Sequence, residues 1–227
     1  LGGAKAGLDT EAVYEKLAIR DIQAACDVLR PVYDETDGED GFVSLEVSPH
    51  LADDTEGTVA NARRFWGVVN RPNLMIKVPA TTAGIPAIKT LLIEGVNVNV
   101  TLLFALDAYR QVAETYVAAL SDRKAVGANV GSVASVASFF VSRVDTAADG
   151  RLQARIDAGE EALAGLLGKT AVANAIAAYG AYLEIFSGRQ WDDLKAAGAR
   201  VQRCLWASTG TKNKEYSDVL YVEELIA

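Results

Sequence analysis

Histidine is almost missing from this chain: His50 is the only one in 227 residues. With no Cys-x-x-Cys pair either, little is left to build a zinc site from, so no metal is expected. His50 reads as an ordinary loop residue. Cysteine is nearly as scarce. Cys26 sits in a helical pattern and Cys204 in an apolar strand-like run. Two such isolated residues read as buried thiols in a reducing compartment, not as a disulfide framework. Positive charge is in deficit, with 22 Lys and Arg against 30 Asp and Glu, for a net charge of -8. No basic patch offsets that balance, so nucleic acid is not an expected partner. An anionic small molecule stays possible, because one Arg or Lys in a cleft outweighs the global sign. No apolar run approaches the roughly 20 residues that span a bilayer, and no membrane association is expected. Leu1–Gly7 holds no signal-peptide core, so with its thiols unpaired the chain is expected in the cytoplasm. It begins on Leu1 and is expected to be an incomplete record or a fragment of a larger protein. Internal repeats and low-complexity linkers are missing too.

What is present is the composition of a globular protein: 50% hydrophobic and 23% charged residues. Strand-like and helix-like segments alternate. A helical segment over about Thr10–Val28 precedes the first strand, Phe42–Val47. A helix follows from about Asp53 to Val69, with Asp53, Asp54 and Thr55 as cap candidates. Leu74–Pro79 is the second strand. Thr81 or Thr82 caps the next helix, and Gly95 stops it. Val96–Phe104 is the third strand, and a helix over about Leu106–Leu120 comes after it. The stretch Val130–Val144 holds the fourth strand. Two helical stretches then cover Gln153–Ala197. In the second, Val172, Ile176, Tyr179, Leu183 and Phe186 recur at helical spacing and read as a core face. Val201–Ala207 is the last of five strands. Alternating strands and helices imply βαβ units and a parallel sheet, either doubly wound or a (β/α)8 barrel. No Gly-x-Gly-x-x-Gly follows a strand, so a dinucleotide-binding version has no support.

Polar residues inside the strands separate the two architectures. Parallel strands are normally near-continuous apolar runs. Here Glu46, Lys77, Asn99 and Thr101, Ser138 and Arg143, and Ser208 mark the C-terminal parts of successive strands. In a barrel those ends meet on one rim, where such enzymes hold their chemistry. Lys77 lies among Met75, Ile76, Val78 and Pro79. An ammonium there is costly to desolvate, and a lysine of lowered pKa attacks carbonyls to form an imine. A structural lysine paired with Glu46 fits the same spacing. Glu46 suits the proton transfers of imine chemistry, or the ion pair alone. Asn99 and Thr101 share a strand face. Asn99 could bind a sugar hydroxyl and Thr101 a water, or the two could satisfy each other. Arg143 suits a phosphate, whose oxygens its guanidinium forks onto. Ser208–Asn213, with Lys212, has a composition that can form an anion nest, though by composition alone it reads first as a surface turn.

The local sequences Val43–Ser48, Met75–Thr81, Gly95–Phe104, Ser138–Asp145 and Leu205–Asn213 resemble those of transaldolase in its longer bacterial form. They run in family order and cover about Gly41–Glu224. The resemblance implies a class I aldolase-type (β/α)8 barrel occupying 1–227 as a single partial domain, with the helical segment 1–40 leading into it. It implies transfer of a dihydroxyacetone unit from sedoheptulose 7-phosphate or fructose 6-phosphate to glyceraldehyde 3-phosphate or erythrose 4-phosphate, with no cofactor. Residue by residue, Lys77 takes the Schiff-base position, and Glu46 and Thr101 hold the catalytic water. Asn99 and Ser138 match sugar-binding positions. Arg143 and Ser208 match phosphate positions, with Lys212 as the candidate second cation. The family's first-strand Asp and its Ser-Asn-Pro loop find no match in Leu1–Asp40. The first two strands and the last are not evident, and five strands do not close such a barrel. A fructose-6-phosphate aldolase-like lyase and an inactive sugar-phosphate-binding barrel are the alternatives. Oligomeric state is not legible.

Overall fold

Local chemistry sets where the elements begin and end. Asp54 accepts a hydrogen bond from the Gly57 N–H at 2.9 Å and starts the helix Thr55–Val69. Asn70, left-handed at φ +48°, ends it. Thr81 takes the Gly84 N–H at 2.9 Å where the next helix starts. That helix ends at Gly95, whose φ of +93° is one that a side chain would resist. The computed structural model describes residues 10–226, and positions 1–9 of the N-terminal segment, the stretch read for a signal core among them, lie outside the described residues. In chain order the elements are α1 (Thr10–Glu35), β1 (Val43–Glu46), α2 (Thr55–Val69), β2 (Leu74–Pro79), α3 (Gly84–Glu94), β3 (Val98–Leu103) and α4 (Leu106–Ala125). Then come β4 (Ser135–Phe140), α5 (Ser142–Asp157), α6 (Thr170–Ile185), α7 (Arg189–Ala196), β5 (Arg203–Ala207) and α8 (Leu220–Ile226). Single 3-10 turns cover Pro49–Leu51, which contains His50, and Glu161–Leu166.

The five strands form one parallel sheet in the order β1-β2-β3-β4-β5. A doubly wound sheet reverses its order at a switch point; this one never does. The helices pack on one another in chain order, α2 on α3 and α3 on α4, and α4 then on α6. Right-handed crossovers in unbroken sequence place the helices on one face of the sheet. This is the α/β arrangement of a barrel wall. Among the described residues β1 and β5 each pair on one side only.

The two sheet faces differ in chemistry. Leu74, Ile76 and Val78 of β2, with Val98 and Val100 of β3, join the main apolar core against the helices. Their alternates Met75, Lys77, Asn97, Asn99 and Thr101 lie on the other face. β3 is irregular at its end: its pairing with β4 shifts between Val100 and Leu103, where Leu102 has φ +61°.

Three expectations need correction. α1 runs past Val28, through Pro31, to Glu35. The missing proline N–H removes only one helical bond, so the helix can continue. α5 begins at Ser142, not near Gln153, so Arg143 sits in the first turn of a helix directly after β4. The α6 stripe holds only at its ends, where Val172 is buried and Phe186 packs against the core. Ile176, Tyr179 and Leu183 face solvent at 58, 48 and 53% exposure. The buried face of α6 is Ala171, Val172, Ala175, Ala178 and Ala181. Small side chains let α6 lie close to its neighbours, and a reading weighted by large apolar residues picks the opposite face.

Candidate active site

The strand registers bring the predicted residues into one row. Glu46 of β1 is level with Lys77 of β2, and Lys77 with Asn99 of β3. The Lys77 ammonium lies 3.4 Å from a Glu46 carboxylate oxygen. Their side chains keep 28 and 48% exposure, so the lysine is not sealed in an apolar pocket as its neighbours in sequence suggest. Backbone geometry fixes the pair, since the Val47 N–H donates to the Lys77 carbonyl at 3.1 Å.

Asn99 is buried and bridges three strands. Its amide donates to Ser44 Oγ of β1 at 3.0 Å, and its carbonyl accepts from Ser138 Oγ of β4 at 2.6 Å. Both halves of the amide are thereby oriented. Ser44 has no role in the sequence reading. Its signal is simple: it stands two residues before Glu46 and so shares that face. Asn97 differs in kind from Asn99. It donates to the Pro72 and Leu74 carbonyls and accepts from the Ala134 N–H, which makes it a structural tie.

Thr101 is fully buried, level with Pro79 of β2, and its hydroxyl has no hydrogen-bond partner among the described residues. An orphaned buried hydroxyl is costly and calls for an explanation. A bound water or substrate group beside it would supply one. The two Asn99–Thr101 alternatives are thus separated: the pair does not satisfy itself.

The phosphate candidates stand at the same strand ends without forming one contact set. The Arg143 guanidinium lies 5.0 Å from the centre of the Phe140 ring, stacked over the end of β4 and exposed. Ser208 follows β5 directly, with φ +56°. Its carbonyl accepts from the Ser142 N–H at 3.0 Å. Lys212 lines a separate cavity of about 210 Å³, with Ser142, Asp145, Asp149, Tyr216 and Tyr221. No described hydrogen bond or ion pair joins it to the Lys77 row. Glu46 and His50 border a larger groove of about 620 Å³ against the start of α1.

Neither cysteine offers a reactive thiolate. Burial pushes the thiols of Cys26 and Cys204 up, away from the reactive thiolate. Among the described residues no group of three or more His, Cys, Asp or Glu is placed to hold a metal ion. Nor is any described helix long and apolar enough to cross a membrane.

Residues 3–227 match the family described as Transaldolase/Fructose-6-phosphate aldolase. A transaldolase of Thermobifida fusca is 56% identical over 221 residues, covering 97% of this chain and 59% of that protein. Transaldolase 2 of a Nostoc species is 48% identical over 230 residues, covering 99% of this chain and 60% of its own length. A transaldolase of Mycolicibacterium paratuberculosis is 52% identical over 225 residues, with 99 and 60% covered. The chain therefore spans about 60% of the length of the curated relatives it matches.

Proposed function

The chain belongs to the transaldolase/fructose-6-phosphate aldolase family, and on that premise we propose that it carries the Schiff-base machinery of a transaldolase, with Lys77 as nucleophile. The observation that carries this reading is the row Glu46–Lys77–Asn99, three polar residues in register on adjacent strands with an ion pair at its centre.

The chemistry assigns each residue a task. Lys77 must lose a proton before it attacks, and Glu46, at 3.4 Å, is the base within reach. The free amine adds to the ketose C2 carbonyl of fructose 6-phosphate or sedoheptulose 7-phosphate. Glu46 returns a proton to the carbinolamine hydroxyl, which leaves as water and forms the imine. Thr101 holds that water, a role suited to its unpartnered hydroxyl. The protonated imine then draws in the electrons of the C3–C4 bond as it breaks, while the C4 hydroxyl gives its proton to a general base, the part the family assigns to its first-strand Asp. The aldose phosphate leaves, and three carbons stay on Lys77 as an enamine. The enamine attacks the aldehyde of glyceraldehyde 3-phosphate or erythrose 4-phosphate. Hydrolysis releases the new ketose and restores Lys77. Asn99, fixed by Ser44 and Ser138, is positioned to read a sugar hydroxyl. Arg143, Ser208 and Lys212 take the phosphate.

In this reading the chain forms one partial barrel domain, entered through α1, and acts in the cytoplasm within the pentose phosphate pathway, without a cofactor. Borohydride with fructose 6-phosphate should add a dihydroxyacetone-sized mass to Lys77, located by peptide mass spectrometry. A folded preparation that yields no such adduct would sink the assignment.

A further inference from the structure

The end of β5 is sewn to the turn between β4 and α5. The Val141 N–H donates to the Ala207 carbonyl at 2.9 Å, and the Ser142 N–H to the Ser208 carbonyl at 3.0 Å. The side chains repeat the link: Ser142 Oγ and Ser208 Oγ are 2.9 Å apart. Ser208 holds a left-handed backbone at φ +56°, sparsely populated by side-chain-bearing residues. Such a conformation persists where surrounding contacts over-determine it. Here one buried residue, Ser142 at 1% exposure, supplies two of those contacts.

We propose that Ser142 is a positioning residue for phosphate recognition, acting through the Ser208 hydroxyl. The inference rests on the reading of Ser208 as a phosphate ligand. A hydroxyl has one proton and two acceptor lone pairs. Either serine could be the donor in the pair. A phosphate oxygen at Ser208 selects one direction: Ser142 donates to Ser208, and Ser208 donates to the anion. Each bond in such a chain polarises the next. Without the Ser142 hydroxyl, the Ser208 proton has no fixed direction, and its left-handed backbone keeps a single tether. Among the described residues Ser208 is the one hydrogen-bond partner of this hydroxyl.

The test is borohydride trapping at Lys77 with two probes, fructose 6-phosphate and dihydroxyacetone, which lacks the phosphate. The quantity read is the ratio of their half-saturating concentrations. Ser142→Ala should raise that ratio about tenfold, the scale of one weakened hydrogen bond to a charged group. Ser142→Thr keeps the hydroxyl, and the cavity of about 210 Å³ beside it leaves room for the methyl. Its ratio should stay within about twofold of the parent. A Ser142→Ala ratio within that same range overturns the proposal, as does a threonine variant as impaired as the alanine one. If Ser142→Ala does not fold, Ser142→Val against Ser142→Thr makes the comparison at matched shape. Ser208→Ala separates the two readings. If its ratio is unchanged, the phosphate role of Ser208 fails and takes the proposal with it. If it rises while Ser142→Ala does not, only the role of Ser142 fails.

Discussion

Lys77 and Glu46 share one ion pair, and the proposed imine formation moves a proton within it, from Lys77 to Glu46. An attacking amine cannot remain an ammonium, so in the proposed reaction the carboxylate at 3.4 Å is both the neighbour that holds the charge and the base that removes it. The structural and catalytic readings of this pair therefore describe two protonation states of one arrangement. Glu46→Gln keeps the shape and removes the base. Turnover should fall about a hundredfold, within the range typical of a lost general acid–base. The Lys77 adduct should still form, at a reduced rate. Wild-type turnover in an aldose-phosphate acceptor assay would remove Glu46 from the mechanism. At this scale the sequence was informative because Glu46, Lys77, Asn99, Thr101 and Ser138 are polar where a strand should be apolar. Ser44 and Ser142 went unassigned because their roles lie in a partner, Asn99 or Ser208, that is 55 or 66 residues away.

Helix α6 shows how an element can mislead when read alone. Its large apolar residues form a regular stripe, yet Ile176, Tyr179 and Leu183 are exposed and the alanines are buried. Ile176→Ala should therefore change stability by no more than about 0.5 kcal/mol, as for an ordinary surface site. Ala178→Leu, at a fully buried position, should cost about 1–3 kcal/mol through overpacking. Urea denaturation of both variants checks the pair, and the reverse ranking would restore the large residues to the core. The start of α6 makes a related point. Lys169 offers no side-chain cap, but Asp145 of α5 accepts the Ala171 N–H at 2.7 Å and the Tyr221 hydroxyl at 2.7 Å. A buried carboxylate from one helix thus closes a second and tethers a third. Caps drawn from a helix's own sequence, such as Asp54, are legible in advance; one borrowed across 26 residues is not.

Across the whole molecule, the segment after β5 is bound to α5 by two tyrosine–aspartate pairs, Tyr216 with Asp149 and Tyr221 with Asp145, each at 2.7 Å. Burial first, then the bond to Asp149, pushes the Tyr216 phenol from its ordinary 10.0 up to about 12. Tyr221 is raised for the same reasons. A group whose pKa rises on folding contributes stability that is complete below its unfolded value and is lost as pH climbs through the folded one. Wild type should thus exceed Tyr216→Phe by about 1–2 kcal/mol near neutral pH, the worth of a hydrogen bond to a charged group. That advantage should shrink between about pH 10 and pH 12. Urea midpoints of the two proteins across that range read it directly, and a constant difference would show that the pair does not titrate with folding. The sheet order is a property of this same scale. Alternating segments alone predict a parallel sheet of either kind, and the unreversed succession β1 to β5 adds the strand order of a barrel wall to what the polar strand residues indicate.

What the sequence by itself determined was local: the five strands, the helix-end signals at Asp54, Thr81 and Gly95, and the ordered motifs that place Lys77, Glu46 and Asn99 in one family. Those depend on neighbours along the chain, whose spacing is fixed by covalent geometry. The tertiary structure alone decided that Glu46 and Lys77 are ion-paired, that Asn99 bridges three strands, that the alanines of α6 face inward and that Ser142 reaches Ser208. Each of these is a contact between segments far apart in sequence. Strand register and helix packing set such distances, and residue spacing does not encode them.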